Sequence, residues 1–309
     1  MEKELQTVSG SLFYEREGDE ITISGYHGRD AALVIPERID DCPVTVIGKK
    51  AFLGQKYLLE VSLPETITYV EDWAFAHCDM LKEIALFPRT WQIGRGVFFE
   101  CNKLAKANLL EEPEYLKQYS EEQRKALMQS VSGLLMSTMT VLDAPYLFDP
   151  AVAGSDEWMN QYDARLMTLL SQDDMEGYAN TISCGEEDYG NTNQEHFVSQ
   201  KRKSKVRMIL VRLLHDYGIS EEKRLFCEQY LRKHMPPEEH TESWQVVKEE
   251  HGHEQAFFTL LCDCGCVTKD NIDELIQDLG TENPERKAFL MRYKQEHFET
   301  EDFFAAFSL

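Results

Sequence analysis

The sequence predicts an α+β protein of two unlike parts: a short solenoid of strand-bearing repeats, residues 1–110, followed by an acidic all-α region, residues 111–309. Three observations carry this prediction. One pattern recurs three times between residues 44 and 109 at a constant step of 23 residues. The apolar spacing changes from alternating to helical after Glu111. Helix-start signals then recur along the rest of the chain.

The first copy of the pattern reads Val44-Thr45-Val46-Ile47-Gly48, Ala51-Phe52, Leu58 and Val61-Ser62-Leu63. The second is Ile67-Thr68-Tyr69-Val70-Glu71, Ala74-Phe75, Leu81 and Ile84-Ala85-Leu86. The third is Thr90-Trp91-Gln92-Ile93-Gly94, Val97-Phe98, Leu104 and Ala107-Asn108-Leu109. A unit this small cannot bury its apolar face alone and must stack on its copies, which makes a solenoid. Period-two apolar positions at the end of each copy predict a short strand. A small residue next to a large ring at one fixed offset suits a core in which each ring stacks on the next. Gly48 and Gly94 are expected at turns with positive φ, with Glu71 at the equivalent point of the middle copy. Cys78 and Cys101 share one repeat position and should stack in the core as small apolar residues.

Upstream, residues 11–26 alternate apolar and polar side chains around Gly18-Asp19, a hairpin signal. This hairpin is expected to cap the open N-terminal end of the stack, since terminal units need a polar outer face. Leu33-Val34-Ile35-Pro36 begins a partial first coil, and Asp40-Asp41-Cys42-Pro43 reads as a loop insertion.

These residues resemble the BspA-like leucine-rich repeat family of bacteria. The likeness lies in Ile35-Pro36, Pro43-Val44-Thr45-Val46-Ile47-Gly48, Ala51-Phe52, Leu63-Pro64, Cys78-Asp79-Met80-Leu81 and Cys101-Asn102-Lys103-Leu104. It covers about residues 11–109. The resemblance implies a right-handed leucine-rich-repeat β-solenoid with one strand per coil. It also implies a non-catalytic role, since family members are commonly adhesive or surface-displayed and offer no catalytic residues to carry over. The chain departs from the pattern at Leu86-Phe87-Pro88, where the Leu-Pro step is shifted, and at Gln55, which replaces the first cysteine.

In the second part, Ser120-Glu121-Glu122-Gln123 is a capping-box signal for a helix reaching about Leu142. Residues 143–160 carry Pro145, Pro150, Gly154 and Ser155 and read as a loop. Helices are predicted over 161–171, 196–217, 220–234, 241–250, 254–264, 271–279 and 284–298. Ser220 is expected to cap one of them, and Asn283-Pro284 to open the last. Short helices with tight links predict a compact bundle or an α-solenoid. The segment Glu254–Ile276, with Gly265 between its two helices, resembles a degenerate ankyrin-type pair that lacks the Thr-Pro-Leu-His signature.

The chain carries 32 basic and 55 acidic residues, a formal charge of −23. Residues 1–109 hold 12 basic and 17 acidic residues, so residues 110–309 carry −18 of that total. Such a field disfavours nucleic acid and anionic membrane as partners. One run opposes the trend: Lys201-Arg202-Lys203-Ser204-Lys205-Val206-Arg207, with Arg212. It lacks the interleaved aromatics of a nucleic-acid surface, so it reads as the solvated start of a helix, or as paired with nearby acids such as Glu186, Glu187 and Asp188. The apolar run 133–142 is too short to span a bilayer. The first residues lack a basic and an apolar signal region, which predicts a cytoplasmic protein, or a cell-surface one if the sequence is truncated.

Chemistry-bearing motifs are sparse. No phosphate-binding loop, His-Glu-x-x-His or Gly-x-Ser-x-Gly occurs. Cys262, Cys264 and Cys266 near His251 and His253 invite a zinc reading, but their spacing is wrong for paired ligands. Cys42, Cys184 and Cys227 complete the eight cysteines, expected to be reduced thiols. The chain is therefore expected to act without cofactor or metal, as a non-catalytic scaffold for an unknown protein partner. The alternative is an enzyme or small-ligand protein with a pocket between the repeat and helical domains.

Aligning the copies locates a candidate surface. Trp73 aligns with Lys50 and Gly96, Trp91 with Thr45 and Thr68, Tyr69 with Val46 and Gln92, and Phe99 with Leu53 and Ala76. Core positions should agree between copies, and these do not. Tyr69, Trp73, Trp91 and Phe99 are therefore the candidate interaction patch, because exposed aromatics are enriched at interfaces. The competing expectation is that Trp73 and Trp91 pack on the helical part.

Overall fold

The 23-residue step is the pairing register of two parallel sheets. The computed structural model describes residues 2–179 and 193–299. Its strands are β1 (Lys3–Gln6), β2 (Gly10–Glu17), β3 (Glu20–Gly28), β4 (Ala32–Val34), β5 (Arg38–Ile39), β6 (Cys42–Ile47), β7 (Glu60–Ser62), β8 (Tyr69–Val70), β9 (Glu83–Leu86), β10 (Gln92–Ile93) and β11 (Lys106–Leu109). One sheet has the order β1-β2-β3-β6-β8-β10, with β5 attached to β6, and the other has β11-β9-β7-β4. Val46, Tyr69 and Gln92 stand side by side in the first, and Glu60, Glu83 and Lys106 in the second. The copies are thus successive coils of a β-solenoid.

The core between the sheets is an aromatic ladder. Phe52 stacks on Phe75 with ring centroids 4.8 Å apart, and Phe75 on Phe98 at 5.7 Å. Tyr26 of the hairpin extends the stack at 5.8 Å from Phe52, and Phe148 meets its far end at 6.2 Å from Phe98. Leu58, Leu81 and Leu104 line a second buried row, and Val61, Ile84 and Ala107 a third. Cys78 and Cys101 stack in the core as expected. Each Sγ–H donates to the carbonyl of the ring-bearing residue one coil back, Phe52 at 3.1 Å and Phe75 at 3.0 Å. Gln55 fills the same place in the first coil and donates from Nε2 to the Tyr26 carbonyl at 2.9 Å. The departure from the repeat pattern at Gln55 therefore keeps the hydrogen bond that the cysteines make.

The turns correct one expectation. Gly48 and Gly94 do not have positive φ. The left-handed positions are Lys50, Trp73 and Gly96 (φ 61°, 61° and 58°), then Gly54, His77 and Glu100 (φ 70°, 58° and 55°). Glycine is required at Gly48 and Gly94 for another reason. A Cβ on Gly94 would lie 2.5 Å from the Asp72 amide nitrogen, and one on Gly48 would lie 2.9 Å from the Ile23 carbonyl oxygen. Each lets its coil approach the backbone of the coil before it.

The N-terminal hairpin forms around Gly18-Asp19, and β3 continues the first sheet by pairing in parallel with β6. A buried carboxylate secures this end. Asp30 accepts from the Thr7 hydroxyl at 2.5 Å, the Ser9 amide at 2.8 Å and the Tyr26 hydroxyl at 2.8 Å. The Thr7 hydrogen bond, with those from Tyr26 and Ser9, outweighs burial and holds the Asp30 carboxyl below its ordinary range.

At the other end, helix α1 (Glu121–Thr140) packs on β11. Both arms of the Ser120/Gln123 capping box form, and the Ser132 hydroxyl donates to Asn108 at 2.9 Å. The predicted loop over 143–160 is shorter than expected, because α2 (Asp156–Ser171) begins five residues before 161. Ser155 caps it, accepting from the Trp158 amide at 3.3 Å, with Asp156 and Glu157 in the first turn. Strand gives way to helix just past residue 110, as expected, but the compact unit containing the repeats extends over Met1–Met167.

The second unit is Thr168–Leu309. Its described helices are α3 (Gln194–Leu214), α4 (Glu221–Lys233), α5 (Glu242–Glu250), α6 (Gln255–Asp263), α7 (Ile272–Asp278) and α8 (Pro284–Lys294). Ser220 caps α4 as predicted, and Gly265 follows α6 at φ 66°. Asn283 precedes α8, but its side chain makes no capping hydrogen bond. Val206, Ile209, Leu210, Trp244, Phe258 and Leu275 lie in its core.

Asp30 generates a pH prediction. Its folded pKa is depressed, so its contribution is complete above the unfolded value and is lost as pH falls through the folded one. Asp30→Asn should cost about 1–3 kcal/mol at neutral pH. That deficit should shrink as pH drops below about 4, read from urea midpoints of both proteins across the pH series.

Candidate functional site

Two of the four candidate aromatics come together on the turn edge of the coils. Trp73 follows β8 in a left-handed turn, where its amide donates to the Arg95 carbonyl at 2.9 Å. A bulky side chain at φ 61° costs of order 1–3 kcal/mol and persists only where its surroundings fix it. The indole lies over Gly96, where a Cβ would come within 3.0 Å of the ring. Phe99, 47% exposed, meets it edge to face at 5.4 Å. The same ring meets His77 edge to face at 5.6 Å, and His77 Nδ1 lies 2.8 Å from a Glu100 carboxylate oxygen. Asp72 ties this turn to the next coil, accepting from the Arg95 amide at 2.8 Å and its guanidinium at 3.1 Å. These bonds, the amide one foremost, hold the Asp72 carboxyl below its usual range.

The other two candidates lie elsewhere. Trp91 meets Phe148 edge to face at 5.7 Å and so packs on the segment joining α1 to α2. The competing expectation is met for Trp91, and Trp73 instead faces Phe99. Tyr69 is half-buried on β8, between Val46 and Gln92. The alignment of copies did not single out His77 or Leu53, which lie on the same edge. The signal was present, because His77 stands at a left-handed position shared with Gly54 and Glu100, and Leu53 is 41% exposed at the Phe99 position.

The remaining chemistry-bearing groups are used in packing. Among the basic cluster, Arg202 and Lys205 both meet Asp174, at 2.9 and 2.7 Å, while Lys203 pairs with Glu249 and Arg207 with Glu250. Burial raises Asp174, but Lys205 and Arg202 outweigh it and hold the carboxyl below its ordinary range. Arg212 is fully buried and donates to the His215 and Tyr217 carbonyls. The cluster is thus paired rather than solvated, with Asp174, Glu249 and Glu250 as partners. Glu186, Glu187, Asp188 and Cys184 lie outside the described residues. Cys262, Cys264 and Cys266 are buried. Burial pushes the first thiol up to about 12 and the second to about 11, and raises the third. His251 stacks on Phe257 at 3.7 Å and pairs with Glu254. Among the described residues no group of three His, Cys, Asp or Glu side chains is placed to hold a metal. No described helix is long and apolar enough to cross a membrane.

The repeats also match a known family. Residues 36–130 match the model of the BspA type leucine rich repeat region, in 6 copies. This segment is of the BspA leucine-rich-repeat type. The match reaches into α1, past the end at about residue 109 expected from sequence. Among solved structures, the chain is 28% identical to a leucine rich cell surface protein from Faecalibacterium prausnitzii, over 34% of this chain and 30% of that one (TM-score 0.30). It is 31% identical to a T. pallidum leucine rich repeat protein, over 33% and 59% (TM-score 0.27). It is 25% identical to a leucine-rich repeat protein from Bacteroides capillosus, over 33% and 78% (TM-score 0.29). The chain thus spans less than two thirds of the first two. No curated protein matches it.

The two tryptophans should respond differently to removal. Trp91→Ala should destabilise the protein by about 1–3 kcal/mol, since the half-buried indole loses its packing on Phe148. Trp73→Gly should change stability by less than about 1 kcal/mol, because lost contact is offset by relief of the left-handed strain, as Gly96 shows at the same repeat position. Chemical denaturation of both variants checks the contrast.

Proposed function

We propose that the repeat unit is a non-catalytic protein-interaction module that binds through the turn edge of its coils, with Trp73 and Phe99 at the centre. One observation carries this reading: a tryptophan is held in a strained left-handed turn, part-buried, edge to face with the exposed Phe99 ring. Rigid, partly exposed aromatics in contact are the usual anchors of protein interfaces, and strain of this kind clusters at binding sites. Trp91 serves the fold through Phe148, which leaves the patch narrower than the four aromatics first singled out.

The test is capture of partners from lysate of the source cells with a photo-crosslinker placed at Leu53, beside the patch. A reproducible protein partner is expected, lost in a Trp73→Ala/Phe99→Ala variant that melts within a few degrees of the parent. Retention of the same partners by that variant would contradict the proposal.

A further inference from the structure

The turn edge does not end at Trp73. One coil earlier it opens into a groove of about 310 Å³, whose lining includes Phe13, His27, Lys50 and Leu53. Phe13 and His27 form one wall, edge to face with centroids 5.3 Å apart. Lys50 and Leu53 form the other, and they occupy the repeat positions held by Trp73 and Phe99 further along. A groove of this size accepts one large apolar side chain and the backbone beside it.

The charge of this edge changes sharply from coil to coil. Residues 48–58 contain Lys49, Lys50 and Lys56 and no acid. The equivalent residues of the next coil, 71–81, contain Glu71, Asp72 and Asp79 and no Lys or Arg. Among the described residues none of the three lysines makes an ion pair, in a chain of net charge −23. Glu2 is the acid in the groove lining, and its carboxylate accepts from the Ser24 hydroxyl at 2.8 Å. The positive field is one coil wide, roughly 5 Å along the stack, and is followed at once by three carboxylates. That profile suits a short carboxylate-bearing segment and repels a continuous polyanion.

We infer that this groove takes a short acidic peptide segment of a protein partner. One apolar side chain enters between Phe13 and Leu53, and a flanking carboxylate meets Lys50, the lysine in the lining. The inference rests on the interaction reading above and supplies the partner's chemistry.

The test uses the full chain and three fluorescent, N-acetylated pentapeptides. The first has two aspartates and two glutamates around a central phenylalanine. The second has serine at the centre, and the third replaces the acids by asparagine and glutamine. Anisotropy should show binding of the first alone, weakened more than about tenfold between about 50 and 300 mM salt. Lys50→Glu/Lys56→Glu should weaken it by at least about tenfold, and Leu53→Ser likewise, with circular dichroism and melting unchanged. If Leu53→Ser perturbs folding, displacement of the first peptide by the second reads the anchor instead, and none is expected. Equal binding of the neutral peptide would overturn the inference and leave the interaction reading standing. Binding of no peptide, or tighter binding of a short oligonucleotide, would also overturn it. The crosslinking result at Trp73 and Phe99 tests the wider reading separately.

Discussion

Stacking of one ring per coil is the interaction on which the first unit depends. Parallel strands set neighbouring coils about 4.8 Å apart. A planar ring at one fixed position can stack at that spacing, which is why Phe52, Phe75 and Phe98 recur without exception. The stack has ends, and an exposed ring face at either end would leave a large apolar surface in water. The hairpin supplies Tyr26 at one end and the helical segment supplies Phe148 at the other. The polar needs of these caps follow. Tyr26 can be buried in the cap because its hydroxyl donates to Asp30, and Asp30 can be buried because Thr7 and Ser9 donate to it. The ladder thereby joins strand, turn and helix into one unit reaching Met167.

The same constraint determines where the surface is free to vary. Each coil must keep its ring and its leucine row, and the first and third coils keep a close backbone approach at Gly48 and Gly94. The turn between the two sheets needs two left-handed residues per coil, and their side chains are not part of the ladder. Lysine, tryptophan and glycine alternate at the first of these positions, and glycine, histidine and glutamate at the second. Side chains there vary without disturbing the ladder, and the aromatic pair and the groove beside Lys50 both lie along this edge.

The repeat was legible because its constraint is local and periodic. Ring, cysteine and strand positions recur at one step, so three copies reveal them without a structure. Turn conformation was less legible. Gly48 and Gly94 were read as left-handed because glycine tolerates positive φ, but their glycines answer to a neighbouring backbone that no spacing displays. The start of α2 is hidden in the sequence because Ser155 beside Pro150 and Gly154 reads as one more loop residue, whereas in the fold it caps the helix opened by Asp156 and Glu157. Trp73 and Trp91 depart from their copies alike, and only packing against Phe148 separates them. The partners of the basic cluster, Asp174, Glu249 and Glu250, are chosen by helix packing and lie far from it in the chain. The likeness to known repeat proteins covers about a third of the chain, and the candidate site lies within that third.

Native-state hydrogen exchange on a Phe75→Ala variant tests the ladder most directly. Phe75 sits at the centre of the stack, far from both caps in sequence. If the rings couple the ends, protection should fall by the same free energy in β2–β3 and in α1, within about 1 kcal/mol. Loss of protection confined to the coils that touch Phe75, with the hairpin and α1 unchanged, would contradict the account.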